Sequence, residues 1–286
     1  MYTLLMWLLF SLLAGAFYTG ESLIQRFLMR QQKDAWAFAF FYSLVGTIVA
    51  FPFMIASPKV PSQPHVWLLV LLMGSLIVFN NLLIFRSSNF IEASLTGALL
   101  KLRLVWIFIL SALFVGSAFS WSKLLGTIFT IAAGFIIVHA FNKPKSAKGI
   151  YLVLGATFFN ASVIVLSKYL LGPFNAGSLT FFASYLPVTV MIFVITPHAV
   201  RRITKMFHED KWTVAAACTL GALTNLAINA ALSLHDATSV IVINEIFLVL
   251  VLVGEHVLLK EKEKAWVKLA SVCLAIIGAV LILASR

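Results

Sequence analysis

The chain has 286 residues, 62% of them apolar and only 11% charged, with a mean hydropathy of +1.02. A water-soluble domain carries roughly 45–50% apolar and about 25% charged residues, so there is too little polar surface here to clothe a globule and the outer face must meet lipid. The formal charge of +11 does not indicate nucleic acid, because the cations are scattered through short loops between apolar runs, where they record membrane topology.

Those runs approach 20 residues and lack the alternation of barrel strands, so they read as transmembrane helices. They are expected at 3–24, 36–56, 66–85, 92–114, 121–140, 149–170, 176–196, 212–232, 239–257 and 265–284. The first run resembles a signal peptide, with Ala14-Gly15-Ala16 as a cleavage-like triplet, but it lacks a basic leader and is read as the first helix. Pro58, Pro61, Pro64, Pro144, Pro173 and Pro197 fall in the gaps, and Pro52 and Pro187 are expected to kink the spans that contain them. Val200–Lys211 reads as a short interfacial helix, with Ile203, Met206 and Phe207 among basic neighbours. Trp36, Trp67, Trp121, Trp212 and Trp266 open spans, as an interfacial aromatic belt would. Cys218 and Cys273 lie in different spans and imply no disulfide framework.

The chain repeats itself. Gly15-Ala16-Phe17-Tyr18 with Ser22 and Ile24 matches Gly155-Ala156-Thr157-Phe158 with Ser162 and Ile164, a shift of 140. Phe40-Phe41 and Ser43 match Phe181-Phe182 and Ser184 at 141; Asn81, Ala93, Gly126 and Gly134 match Asn225, Ala237, Ala270 and Gly278 at 144. The expected fold is therefore an all-α integral membrane protein of ten transmembrane helices. A first five-helix repeat covers 1–142, a linker 143–148 and a second repeat 149–286. An odd number of spans per repeat inverts the second copy, the architecture of secondary transporters with a midplane site.

At this point the residues resemble a family. Ala93–Val138 and Ala237–Leu283 look like the repeated EamA-type unit of the drug/metabolite transporter superfamily. Glu245 takes that unit's mid-helix Glu position, Lys260-Glu261 its Gly-Glu position, and Ala270 and Gly278 its paired glycines. The chain departs from the pattern in three places: no Pro follows Glu245, Lys101 stands where the first copy would carry its Glu, and Gly116-Ser117 replaces Gly-Glu. The resemblance implies a ten-helix transporter and, for direction, export.

Fourteen Lys and Arg lie in the loops after odd-numbered spans, against four on the other side and the termini. The positive-inside rule then places both termini outside the cytoplasm, whereas the resemblance implies termini inside. Lys101, Arg103 and Glu245 fall near the middles of spans four and nine. Three unpaired charges there would cost about 8–10 kcal/mol, so they must face the protein interior. Lys101 and Glu245 stand at the same shift of 144 and are related by the repeat. Two readings stay open: a structural ion pair locking the repeats, or a charged cavity in which Lys101 attracts an anionic group and Glu245 a cationic one. Arg103, two positions from Lys101, sits about 200° around a continuous helix and is assigned to packing or snorkelling. Glu21 lines a cavity mouth or sits at the interface. Glu92 and Asp236 open spans four and nine, where acidic residues suit the helix dipole.

Asn80, Asn81, Asn225, Asn229 and Asn244 suggest a polar interior, although any one of them is explained by helix–helix gluing. Tyr18, Trp106 and Phe247 are rings that would stack a ligand, but aromatic residues are too common in this chain to be informative. The expected substrate-binding set is thus Lys101, Glu245, Glu21, Asn81, Asn225, Asn229, Asn244 and Tyr18. The reading is a secondary transporter in the plasma (bacterial inner) membrane for a small polar or zwitterionic metabolite such as an amino acid. Protons taken up by Glu245 or Glu21 are the candidate coupling ion, and the protein is expected as a monomer or homodimer. A multidrug or organic-cation exporter is the alternative. HExxH, G-x-S-x-G and P-loop motifs are absent, so no enzyme, metal site or cofactor is expected. A non-transporting structural protein is the remaining class.

Overall fold

The structure, a computed structural model, describes residues 2–30, 34–91, 96, 99–100, 102–114, 120–140, 147–247, 250–251 and 265–283. Among them the regular elements are all helices. We label them α1 (Tyr2–Arg30), α2 (Ala35–Ala56), α3 (Pro64–Ser87), α4 (Arg103–Phe114) and α5 (Trp121–Ala140) in the first half. In the second half they are α6 (Ala147–Leu170), α7 (Ala176–Ile195), α8 (Ala199–Leu234), α9 (Ala237–Ile246) and α10 (Ala265–Leu283). Six helices among the described residues are long and apolar enough to cross a bilayer, within α1, α2, α3, α6, α7 and α8. Large apolar side chains on their outer faces stay exposed, such as Ile48 at 62%, Leu68 at 68% and Val194 at 74%. Water would not tolerate such a surface but lipid does.

Spans four and nine differ from the expectation of unbroken helices. Leu102 lies in a tight turn, its N–H bonding Leu99 O at 3.0 Å and its carbonyl accepting from Val105 at 3.2 Å. Phe247 does the same in the second half, between Asn244 O at 3.2 Å and Leu250 N at 2.9 Å. No Gly or Pro marks either turn, so nothing local in the sequence signals it. In α7, Thr180–Tyr185 is π-helical, and Leu186 N–H reaches back five residues to Phe181 O. Pro187 follows at once; it has no N–H to donate and starts the last α-helical segment. Pro52, expected to kink, sits inside α2.

The arm that opens α8 runs on into the span, with non-helical backbone at Asp210 (φ −141°, ψ 32°) marking the bend. Met206 is buried in the main core and Ile203 packs against it, while Arg201, Lys205 and His208 are exposed. This is the amphipathic pattern read for Val200–Lys211. His198 enters the arm at φ +53°, in the left-handed region.

The packing exchanges the halves. α1 lies chiefly against α8, and α6 chiefly against α3; α4 packs on α6 as α9 packs on α1; α5 and α10 pack on each other. Replacing each helix by the one five places on turns each pairing into its counterpart. The polar contacts at the helix ends follow the same rule. Arg26 Nη1 donates to Ser88 O at 2.7 Å, just past α3. Lys168 Nζ, at the corresponding place in the second half, donates to Leu232 O at 2.6 Å and His235 O at 2.8 Å at the end of α8. Each cation satisfies carbonyls that a helix C-terminus leaves orphaned and complements its dipole.

Asp34 caps α2, accepting from Trp36 N at 2.9 Å, and takes Arg202 Nη2 on Oδ1 at 2.6 Å and Nε on Oδ2 at 2.5 Å. Asn175, its counterpart in the second half, caps α7 by accepting from Ser178 N at 2.8 Å, and donates to Ser57 O. The halves are thus tied by an ion pair at Asp34 and, at Asn175, by an amide together with Lys59, whose Nζ donates to Gly172 O at 2.7 Å and whose N–H donates to Ser178 Oγ at 3.0 Å. Burial alone would raise the Asp34 carboxyl, but hydrogen bonds and the cation of Arg202, with the Ala37 and Trp36 amides, hold it below the usual carboxylate range. Asp236 caps α9 through Ser239 N at 3.0 Å, the helix-opening role expected of it; Glu92 lies outside the described residues.

Candidate functional site

A cavity of about 170 Å³ lies where the halves meet. Its walls come from α1, α2, α3, α6, α7 and α8, with Arg103 from α4 and Ile241 and Asn244 from α9. Among the described residues the charged side chains on it are Glu21, Arg26 and Arg103.

The wall facing α2 is a continuous polar chain. Glu21, 7% exposed, is hydrogen-bonded to Tyr42. Asn225 Nδ2 donates to Tyr185 Oη at 2.6 Å and reaches Tyr42 Oη at 3.4 Å, and Tyr185 Oη donates to Gly221 O at 3.2 Å. One helical turn on, Asn229 Nδ2 donates to Thr180 Oγ1, at the start of the π-helical stretch, at 2.9 Å. The π-helical turn carries Thr180 and Tyr185 toward α8, so the irregular backbone of α7 builds this wall. Close approach is built in as well: a Cβ on Gly221 would overlap the Tyr42 ring, and one on Gly46 the Tyr185 ring.

The lining also carries Asn80, whose Nδ2 donates to Asn81 Oδ1 at 3.3 Å. Gln25 Nε2, also on the lining, donates to Ser88 Oγ at 3.2 Å. Arg103 Nη1 donates to Asn160 Oδ1 at 2.8 Å. Asn80 Oδ1 and Asn244 Oδ1 are buried, and neither has a hydrogen-bond partner among the described residues.

Of the side chains anticipated from sequence, Tyr18, Glu21, Asn81, Asn225, Asn229 and Asn244 all line this one cavity. Lys101 lies outside the described residues. Glu245 falls in α9, but its side chain is outside them too. Arg103, read as a packing or snorkelling residue, bonds Asn160 of α6 at the helix contact and also lines the cavity. Tyr42, Tyr185, Gln25 and Asn160 also line the cavity; the tyrosines are lost among many aromatics, and Gln25 and Asn160 are amides of the kind singled out but lie outside spans three, eight and nine. The offset of Asn160 from Gly20 at the repeat shift of 140 carries no polar match that would have flagged it. Among the described residues no group of three His, Cys, Asp or Glu gathers as metal ligands would.

The model of the EamA-like transporter family matches this chain twice, over residues 5–139 and 147–284. No curated protein matches it in sequence. Among solved structures 28 chains match. One of them, a crystal structure of a protein, superposes with a TM-score of 0.61 at 14% identity, covering 96% of this chain and 96% of its own. At that identity the likeness concerns the fold. The double family match spans nearly the whole chain, and the chain, a multi-pass membrane protein, belongs to the EamA-like transporter family.

Proposed function

We propose that the protein is a secondary transporter, working as an exporter, for a small polar or zwitterionic metabolite such as an amino acid. The observation that supports this most is the cavity between the halves, which carries both charge signs, Glu21 against Arg26 and Arg103, among amides and tyrosine hydroxyls. Such a lining repays the desolvation of a ligand bearing both charges. Its volume of about 170 Å³ is below the roughly 300–1,000 Å³ of pockets for drug-sized ligands, which weighs against the multidrug reading. In this proposal ten transmembrane helices form two inverted repeats, and one repeat rocks against the other to expose the cavity alternately to each face. Lys101 and Glu245 extend the charged lining, Glu21 or Glu245 takes up the coupling proton, and both termini lie outside the cytoplasm of a bacterial inner membrane.

The test is counterflow into vesicles holding the purified protein and an unlabelled amino-acid mixture. Labelled amino acid accumulates with the native chain and fails to do so with Glu21→Gln, Lys101→Ala and Glu245→Gln. Native flux left unchanged by all three substitutions refutes the site. A reporter active only in the cytoplasm, fused after Arg286, tests the orientation: it stays silent if the termini are outside.

A further inference from the structure

We infer that Arg103, set in place by Asn160, receives the carboxylate of the transported zwitterion, and that the side-chain carbonyls of Asn244 and Asn80 receive its ammonium. The inference rests on reading the cavity as the substrate site and assigns the two ends of the substrate within it.

Two cations among the described residues line the cavity, Arg26 and Arg103, and they are differently employed. Arg26 Nη1 sits on the Ser88 carbonyl at 2.7 Å, capping α3 as Lys168 caps α8. Arg103 instead follows the Leu102 turn, and its Nη1 is held by the side chain of Asn160, a residue of the other half that also lines the cavity. A guanidinium is a planar fork matched to a carboxylate, and a hydrogen bond at 2.8 Å from a facing helix fixes its plane.

The complementary end is defined by unmet demand. Asn244 is 4% exposed and Asn80 7%, both line the cavity, and the Oδ1 of each lacks a hydrogen-bond partner among the described residues. The Nδ2 of Asn80 is committed to Asn81, so its oxygen is the end left to accept. A buried acceptor left unmade is costly, and a ligand with N–H donors recovers that cost whereas a carboxylate cannot. Buried polar groups of this kind discriminate strongly against analogues that lack the matching group. Arg103 and Asn244 also flank the turns at Leu102 and Phe247, which occupy corresponding places in the two repeats. The site thus places the anion receptor beside one turn, and Asn244, one of the two ammonium acceptors, beside the other; Asn80 completes the pair from α3.

The experiment is thermal unfolding of the full chain in detergent with each proteinogenic amino acid, its decarboxylated amine and its deaminated acid. The expected result is that at least one amino acid raises the midpoint and neither of its analogues does so at equal concentration. Arg103→Gln then weakens the apparent affinity for that amino acid at least tenfold and makes it equal to the amine. Asn160→Ala shifts the same preference in the same direction, and Asn244→Leu instead makes the amino acid equal to the deaminated acid. Arg103→Lys, which keeps the charge, serves if Arg103→Gln does not fold; it too loses preference over the amine. Wild-type ranking retained in both Arg103 variants overturns the assignment. So does the absence of stabilisation by any of the compounds, and vesicle flux of another ligand class would in that case leave the transport reading standing.

Discussion

The bond between Asp34 and Arg202 joins the loop before α2 to the arm of α8, and its removal gives a stability effect that can be worked out from the structure. Two of its features bear on strength. The contact is bidentate, at 2.5 and 2.6 Å, and both side chains are 30% exposed. Exposed pairs contribute about 0.2–1 kcal/mol, while hydrogen bonds to charged groups contribute about 1.5–3 kcal/mol. A half-buried bidentate pair belongs between them, at about 1–2 kcal/mol. Asp34→Asn isolates this term, because Asn caps a helix as well as Asp does; Asp34→Ala forfeits the cap too and costs about 1 kcal/mol more. The assay is a double-mutant cycle of Asp34→Asn and Arg202→Gln, read from SDS-induced unfolding of the purified protein followed by circular dichroism. The coupling energy is expected at about 1–2 kcal/mol. Because the Asp34 carboxyl is held below its ordinary range in the folded state, the coupling is fully present above the unfolded carboxylate pKa of about 3.9. It is lost as pH falls through the lowered folded value. A coupling below about 0.3 kcal/mol, the scatter of independent sites, refutes the reasoning.

Three further expectations follow from single observations. His198→Gly relieves the left-handed strain at φ +53° and stabilises by about 1 kcal/mol, whereas His198→Val destabilises, both read in the same unfolding titration. A Cβ on Gly177 would lie 2.7 Å from the Phe53 carbonyl oxygen, a backbone atom that cannot swing aside, so Gly177→Ala destabilises by about 1–3 kcal/mol. Asn225→Leu leaves the buried Tyr185 and Tyr42 hydroxyls without their shared donor; it costs about 1–3 kcal/mol of stability and abolishes counterflow in vesicles.

How far the sequence led depends on the kind of signal each feature leaves. Long apolar runs are unambiguous in a membrane, because nothing but a helix can satisfy the backbone there; α2, α3 and α6 lie close to where 36–56, 66–85 and 149–170 put them. The Arg26–Ser88 and Lys168–Leu232 contacts, which are not among the internal matches, join the first helix of each half to the end of a helix in like manner. Six of the side chains singled out line one cavity because buried polar groups in an apolar chain are rare enough to be informative. The turns at Leu102 and Phe247 left no local mark, since Lys-Leu-Arg and Glu-Ile-Phe are compatible with helix. Arg103, read from helical phase as a packing residue, does bond Asn160 of α6, and its place on the cavity wall left no separate mark in the sequence. The π-helical turn of α7 was equally silent, so Tyr185 and Thr180 were not connected with Asn225 and Asn229, their partners on α8.

The central claim, that the cavity between the halves is the substrate site, is tested most directly by protecting it. With Cys218 and Cys273 replaced by Ala and Ser22, a cavity residue of α1, replaced by Cys, the protein in vesicles is labelled with a membrane-impermeant maleimide. The amino acid giving counterflow is expected to slow this labelling, with half-protection at the concentration that half-saturates transport. Labelling at an unchanged rate under saturating substrate, while counterflow proceeds, would contradict it.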